Sequence, residues 1–422
     1  MKEKLLNQIL SNESLNMAYQ RVVQNQGVAG VDGMTISELK DYLQMNHKML
    51  RKLVRNQQYK PQPVRRVEIP KDNGDKRPLG IPTVVDRVLQ QSIHQVIRPL
   101  FESQFHNDSY GYRPGRSCEM ALKRSLAILN EGFIWVVDLD LEKFFDTINH
   151  DKLMRIVSKT IKDKAVRTLI KSYLTSGVID QGKFYQTSKG VCQGGPLSPL
   201  LSNIMLNELD QKLASKGLKF VRYADDVMIF TKRLSTAKRV MKFVSRYLTD
   251  QLDLVVNMDK SKISRPTEVK FLSFGYVKVK RQWQAVPHPE SVNKFQRKLT
   301  DLMQQNLRLP LSDRNQKIKQ TIQGWVVYFR STEMKEMLMQ LDKELKYRMR
   351  VTIWKGWVAQ NRQIISLVKL GVSKKEAEEL AWSLGDDDTI ANSKKLQHIL
   401  SDKKLKELGV PSIGEYYLRC RV

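Results

Sequence analysis

The chain has 422 residues, 41% of them hydrophobic and 27% charged. That is length for two to four ordinary domains and apolar content enough for real cores, which excludes a disordered tail. Lys and Arg total 72 against 44 Asp and Glu, a formal net charge of +28, and such an excess calls for a polyanionic partner. Nucleic acid is the first reading. An anionic membrane surface is the second, but the sequence holds no 18-residue apolar run and no lipidation motif to support it. Cys118, Cys192 and Cys420 are far apart, form no CxxC pair or zinc pattern, and suit a reducing cytoplasm.

In chain order, MKEKLLNQILSNESLNMAYQ reads as an amphipathic helix of mixed charge, without the apolar stretch and cleavage site of a signal peptide. Residues 1–60 are helical in pattern, interrupted by a loop, NQGVAGVDGMT, with Gly27, Gly30 and Gly33. VRRVEIP and RPLGIP read as strands joined by KDNGDK, with Asn73-Gly74 at the tip of a hairpin. Helical periodicity covers about 86–101, FIWVVDLDL is a strand, and helix returns around 149–175. Gly194-Gly195-Pro196 breaks the chain before a helix in LSPLLSNIMLNELDQKL. FVRYADDVMIF is the next strand, followed by a helix over 235–250 and by VVNMDKSKIS and VKFLSFGYVKV. From about 290 the pattern is nearly all helical. Strands and helices alternate without βαβ regularity, which predicts an α+β sheet domain with helices on one side.

Asp225 and Asp226 stand side by side within an apolar run. Asp is common in turns, and a turn could expose the pair harmlessly. Against that, the flanks are β-formers, and WVVDLDLEKFF carries Asp138 and Asp140 in a similar apolar setting. Two strands that bring carboxylates together repel unless hard cations lie between them. Mg²⁺ takes oxygen ligands, usually one or two carboxylates plus substrate phosphates. A pair of such ions clamps the attacking and leaving oxygens of an in-line phosphoryl displacement. The basic excess and the acidic cluster therefore point to one chemistry.

From its N-terminus to about residue 350 the chain resembles the reverse transcriptases encoded by bacterial group II introns. The motifs that carry this are, in order, NQGVAGVDGMT, RRVEIPK…RPLGIPTVVDRVLQQ, SYGYRPGRS, DLDLEKFFDTINHDKL, QGGPLSPLLSNIMLNELD, FVRYADD, NMDKSK, FLSFGY and GWVVYF. The resemblance implies a right-hand polymerase fold of fingers, palm and thumb. It divides the chain into an N-terminal extension (1–60), fingers and palm (61–285), a maturase-type helical thumb (286–350) and a basic C-terminal RNA- or DNA-binding region (351–422). It implies synthesis of DNA on an RNA template with two Mg²⁺ ions, Mn²⁺ being a substitute, and a second role as a maturase on intron RNA. RNA template, DNA or RNA primer, dNTPs, intron RNA and target DNA are the implied partners, in a bacterial cytoplasm, as monomer or homodimer. A domesticated reverse transcriptase in phage defence or repair, or a splicing-only RNA-binding factor, are the alternatives.

Residue by residue, the resemblance makes Asp140 and Asp225 the metal-holding pair, Asp226 a supporting carboxylate and the Leu141 carbonyl a further ligand. Asp138 shares a strand face with Asp140 by alternation, and the family pattern selects Asp140 because Phe145 follows five residues on, where the family keeps its steric gate against a ribose 2′-OH. Lys71 and Arg77 would close on the incoming triphosphate, and Gln193 would lie beside the nascent base pair. Either Lys260 or Lys262 would neighbour the pyrophosphate. Arg65, Arg66, Gly194, Gly195, Pro196 and Tyr223 would contact template or primer. FLSFGY departs from the family's FLGF form at Ser273, and Gly275 is expected to supply the flexibility of the primer grip. Residues 291–360 hold 14 Lys or Arg against 6 Asp or Glu, a basic face for a duplex backbone. Longer family members end in a cysteine- and histidine-bearing endonuclease module, and with Cys420 the one late cysteine none is expected here. WKGWVAQNRQ and a basic helix near 394–407 suit RNA or DNA binding, and DDDT at 386–389 reads as a solvated loop.

Overall fold

The computed structural model describes residues 4–70, 74–304, 310–357, 359–383, 389–390 and 393–420. The chain divides into two compact units, residues 1–269 and 270–422. The first contains, in order, α1 (Lys4–Ile9), α2 (Asn12–Gln24), α3 (Ile36–Arg55), β1 (Val64–Pro70), β2 (Lys76–Ile81), α4 (Val84–Glu102), α5 (Cys118–Asn130) and β3 (Trp135–Leu139). There follow α6 (Phe144–Thr147), α7 (His150–Thr160), α8 (Lys164–Leu174), β4 (Val178–Asp180), β5 (Lys183–Tyr185), α9 (Ser198–Ser215), β6 (Lys219–Tyr223), β7 (Asp226–Thr231), α10 (Leu234–Leu252) and β8 (Lys262–Ser264).

Helix α4 runs through the middle of this unit, buried without a break from Val84 to Ile93. Its one buried carboxylate, Asp86, accepts from Tyr59 Oη at 2.6 Å, Thr83 Oγ1 at 2.7 Å and the Gln62 backbone at 3.2 Å. Ser92 Oγ donates to the Ile9 carbonyl at 2.6 Å. Leu6, Ile9, Ala18 and Val22 of α1 and α2 join Val88, Leu89 and Ile93 in one apolar core. The N-terminal helices are thus part of the interior of the unit, held by polar contacts that only their buried partners can satisfy.

Helix expected over 149–175 is divided in two. Asp163 leaves the helical conformation and its carboxylate accepts from the Ala165 and Val166 amides, so a new helix starts there. A hairpin that the sequence reading passed over, β4–β5, follows α8.

Two sheets position the rest. The first has strand order β2-β1-β4-β5. β1 and β2 pair antiparallel with Pro70 opposite Lys76, leaving a five-residue connection, 71–75, in which Gly74 has φ +85°. β4 joins β1 in parallel and pairs antiparallel with β5. The second sheet, β6-β7-β3-β8, is antiparallel throughout.

The second unit opens with a hairpin, β9 (Phe274–Val279) and β10 (Gln282–Pro287), followed among the described residues by helices alone. These are α11 (Pro289–Gln304), α12 (Leu311–Phe329), α13 (Lys335–Gly356), α14 (Gln360–Lys369), α15 (Lys374–Ala381), α16 (Lys394–Ile399), α17 (Asp402–Glu407) and α18 (Ile413–Cys420). Trp325 stacks between Phe295 and Phe329, with ring centroids 4.6 and 4.5 Å away. Asp342 of α13 accepts from the Ile413 amide at 2.6 Å, and Arg350 reaches Asp402 at 2.8 Å. The end of the chain is therefore fastened to the α13 helix. The basic helix expected near 394–407 is two helices, because Ser401 caps the second by accepting from the Lys404 amide. The three aspartates of DDDT lie outside the described residues. Among the described residues no helix is long and apolar enough to cross a membrane.

Candidate active site

Strand β3 carries Asp138 and ends at Leu139, opposite Val227 of β7. Continuing that register by one residue sets Asp140 level with Asp226. On the other side of β7, Tyr223 of β6 pairs with Asp226, so Ala224 and Asp225 form a two-residue turn. Asp140, Leu141, Asp225 and Asp226 all line one cleft of about 990 Å³. The backbone at Asp140 is pinned on both sides. Its amide donates to Ser261 Oγ at 3.0 Å, and its carbonyl accepts from the Asn257 amide at 2.9 Å.

The turn is held from inside the sheet. Arg222 and Asp210 are both fully buried, 0% exposed, and joined as a fork: Nε to Oδ1 at 2.8 Å and Nη2 to Oδ2 at 2.6 Å. Arg222 Nη1 then donates to Asn203 Oδ1 and to the Ala224 carbonyl, each at 2.8 Å. Asn203 Nδ2 in turn donates to the Gly111 carbonyl at 2.9 Å. Gly111 lies so close to the Ala224 backbone that a Cβ there would overlap it. Arg222, Asp210, Asn203 and Gly111 were not singled out from the sequence. The available signal was Arg222 itself, a full charge between Val221 and Tyr223 in a strand that had to be buried.

The carboxylates disturb one another. Burial first, and then repulsion from Asp225, Asp138 and Asp140, pushes Asp226 up to about 7, with Arg77 opposing. Burial and then Asp140 push Asp138 up to about 6 against the pull of Lys262. The cluster thus concentrates negative charge that a cation would relieve. Its donors are all oxygens, three carboxylates and the Leu141 carbonyl, which fits a hard divalent ion. No group of three or more His, Cys, Asp or Glu among the described residues is close enough to cage an ion unaided. The set fits an open site whose remaining ligands come from water and phosphate.

Arg77, Gln193 and Lys260 line the same cleft. The two lysines left open by the sequence are separated here: Lys262 Nζ donates to the Glu268 carbonyl at 3.2 Å and is not part of the lining. Lys71 lies outside the described residues. Arg66 reaches the cleft beside Asp180, 3.8 Å away. Arg65 turns away from it, donating to the Ala29 carbonyl of the glycine loop at 2.8 Å. Gly194, Gly195 and Pro196 are not among the residues lining the cleft, although Gly194 packs against Gly80, which is. Gly194 has φ +121°, and a Cβ there would stand 2.6 Å from the Gly80 carbonyl oxygen. Tyr223 sits in β6, where burial and then a hydrogen bond with Cys118 push its hydroxyl up to about 12.

One expectation meets a buried setting and one requires correction. Phe145, at 6% exposed, lies in the apolar core together with Phe144, itself 2% exposed; of the two, Phe144 borders the cleft, which Tyr173 also lines. Lys143 adopts a left-handed conformation (φ +44°) and starts a four-residue helix, which turns consecutive side chains about 100° apart. Gly275 does not supply the bend of FLSFGY. It is a paired residue of β9, opposite Val286. The bend lies at Leu272 and Ser273, with φ +50° and +71°.

Residues 69–276 match the family described as "Reverse transcriptase (RNA-dependent DNA polymerase)", and residues 292–366 match "Group II intron, maturase-specific domain". Protein YkfC of Escherichia coli (strain K12) is 36% identical over 301 residues, which cover 62% of this chain and 79% of that protein. The chain belongs to the group II intron reverse transcriptase family. Group II intron-encoded protein LtrA of Lactococcus lactis subsp. cremoris is 36% identical over 222 residues, covering 52% of this chain and 36% of LtrA. The putative COX1/OXI3 intron 2 protein of Saccharomyces cerevisiae is 29% identical over 320 residues, again spanning 36% of the relative. This reverse transcriptase has the right-hand polymerase fold, joins a polymerase domain to a maturase domain, and has RNA among its partners. Divalent metal ions are general to the family.

Proposed function

We propose that this reverse transcriptase copies an RNA template into DNA in the carboxylate cleft, and that it binds its own group II intron RNA as a maturase. The observation that carries the reading is the convergence of Asp140, Asp225 and Asp226 on a cleft that also contains Arg77 and Lys260. Asp140, Asp225 and the Leu141 carbonyl would hold two Mg²⁺ ions, or Mn²⁺ in their place. Such ions, when bound, lower the pKa of the primer 3′-OH and offset charge on the α-phosphate and departing pyrophosphate. Asp226 shapes the field around the pair. Arg77 and Lys260 bind the triphosphate and stabilise charge as it moves onto the leaving group. Gln193 orients the base of the dNTP. A DNA or RNA primer, dNTPs and target DNA complete the partners, in the bacterial cytoplasm. In this reading residues 1–60 form an extension, 61–285 the fingers and palm, 286–350 the thumb and 351–422 a nucleic-acid-binding region.

Asp225→Asn tests it. Primer extension should be lost by several orders of magnitude, while RNA binding at fixed salt stays within a few-fold of wild type, since the basic surface supplies affinity separately. Near-wild-type extension would remove Asp225 from the metal site. The same assay with GTP in place of dGTP separates the two phenylalanines. Phe145→Ala should narrow the dGTP/GTP ratio of kcat/KM more than Phe144→Ala does. The reverse order would mean that Phe144, which borders the cleft, is the one that meets the sugar.

A further inference from the structure

The first sheet does not stop at the cleft. Residues directly opposite each other on paired strands share a face, and neighbours along a strand alternate. Arg66 is opposite Gly80, and Val64 is opposite Val178. All four line the cleft. One strand further out, Val178 is opposite Tyr185 and Asp180 is opposite Lys183. The face that forms the cleft wall therefore continues onto Tyr185 and Lys183 of the edge strand β5. Tyr185 is 53% exposed there. Phe184, 58% exposed, is on the opposite face with Ile179, its ring against Gly177.

The chemistry of this extension is specific. Asp180, its one acid, is paired with Arg66. Lys183 and, four residues beyond Tyr185, the cleft-lining Lys189 are both exposed and have no ion-pair partner among the described residues. An open aromatic ring flanked by free cations, continuous with a nucleic-acid cleft, fits a single strand: the ring stacks a base and the lysines take phosphates. A duplex would have no unstacked base to offer the ring.

We propose that the β4–β5 hairpin is a landing platform for the unpaired template strand before it enters the cleft. Tyr185 stacks a template base, and Lys183 and Lys189 hold the adjoining phosphates. The proposal rests on the polymerase reading above.

The measurement is primer extension on templates whose unpaired 5′ overhang is either one nucleotide or long. For wild type, KM for the primer–template should fall as the overhang lengthens. Tyr185→Ala should lose that gain, roughly 5- to 150-fold for one stacked base, with kcat and the one-nucleotide KM unchanged. Tyr185→Phe should keep it. Lys183→Ala should lower the salt slope for the long overhang by about one. Phe184→Leu, which still covers Gly177, should behave as wild type. Equal overhang dependence in wild type and Tyr185→Ala overturns the proposal. An equal loss in Phe184→Leu overturns it too, because hairpin stability would then be the cause. If wild type extends neither template, the polymerase reading fails instead. Fluorescence anisotropy of a single-stranded RNA oligonucleotide then decides the platform: weaker binding by Tyr185→Ala upholds it, and equal binding removes it.

Discussion

Of the protein's turns built on left-handed residues that are not glycine, two differ in how they are held. In the first unit Ala224, φ +57°, begins the turn that presents Asp225. In the second, Leu272 and Ser273 make the bend between Phe271 and Phe274. Such residues are strained and persist where their surroundings over-determine them. Both turns meet that need by having their carbonyls captured. The donors differ. A buried guanidinium takes the Ala224 carbonyl. At the other turn, Tyr328 Oη donates to the Leu272 carbonyl at 2.8 Å, and the His288 amide and Ser291 Oγ donate to that of Ser273 at 3.0 and 2.9 Å. One clamp is ionic, desolvated and committed to a buried partner. The other is neutral and spread over three donors. The first should fail as a unit, and the second should weaken by degrees.

Arg222→Met gives the largest expected effect. It strands the Asp210 carboxylate at 0% exposure, and breaking a buried pair from one side costs about 3–5 kcal/mol. Chemical denaturation of the first unit reads that loss. Adding Asp210→Leu removes the stranded charge and should recover much of the stability, since apolar replacements of buried pairs are often neutral. The Ala224 carbonyl still lacks its donor in the double variant, so kcat should remain depressed while primer–template KM changes little. A double variant with wild-type kcat would make Arg222 a packing element and break the contrast between the turns.

Much of this arrangement was legible in the sequence, and the parts that were not share a cause. WVVDLDL is an apolar run long enough to read as a strand. FVRYADDVMIF reads as one strand but folds as two, β6 and β7, joined at Ala224-Asp225, because the apolar flanks on both sides hide the turn between them. The acids in both runs were still the anomaly that located the cleft. The β1–β2 hairpin was legible from its glycine turn. By contrast β4 and β5 are three residues each, below the length at which alternation becomes visible. Arg222 was visible as a residue but not as a clamp, because its partners Asn203 and Asp210 stand 19 and 12 positions away on α9. Contacts between elements, rather than patterns within them, carried the missing information.

Tyr328→Phe tests the neutral clamp. It removes one of three donors and leaves the ring stacked on Phe274, whose centroid is 5.5 Å away. The expected cost is about 0.5–1.5 kcal/mol, the usual net worth of one hydrogen bond. Hydrogen exchange at the Phe274 amide, which closes the bend onto the Phe271 carbonyl at 2.8 Å, reads it locally. A loss as large as that of Arg222→Met would mean that the second turn is also held by a single contact.

The smallest effect, and the one with opposite sign, belongs to Ser273→Gly. At φ +71° a side chain pays for a Cβ that crowds the backbone, a cost of roughly 1–2 kcal/mol for an L-residue. Glycine relieves it but enlarges the freedom of the unfolded chain, which takes back about 0.4–1 kcal/mol. The captured atom is the Ser273 carbonyl, which glycine retains, so the bonds from His288 and Ser291 survive the change. The balance favours stabilisation by about 0.5 kcal/mol, seen as slower exchange of the Phe274 and His288 amides with no change in kcat. Faster exchange would show that the serine hydroxyl contributes a contact of its own. The bend would then depend on its side chain as well as on its captured carbonyls, and the two turns would be more alike than their donors suggest.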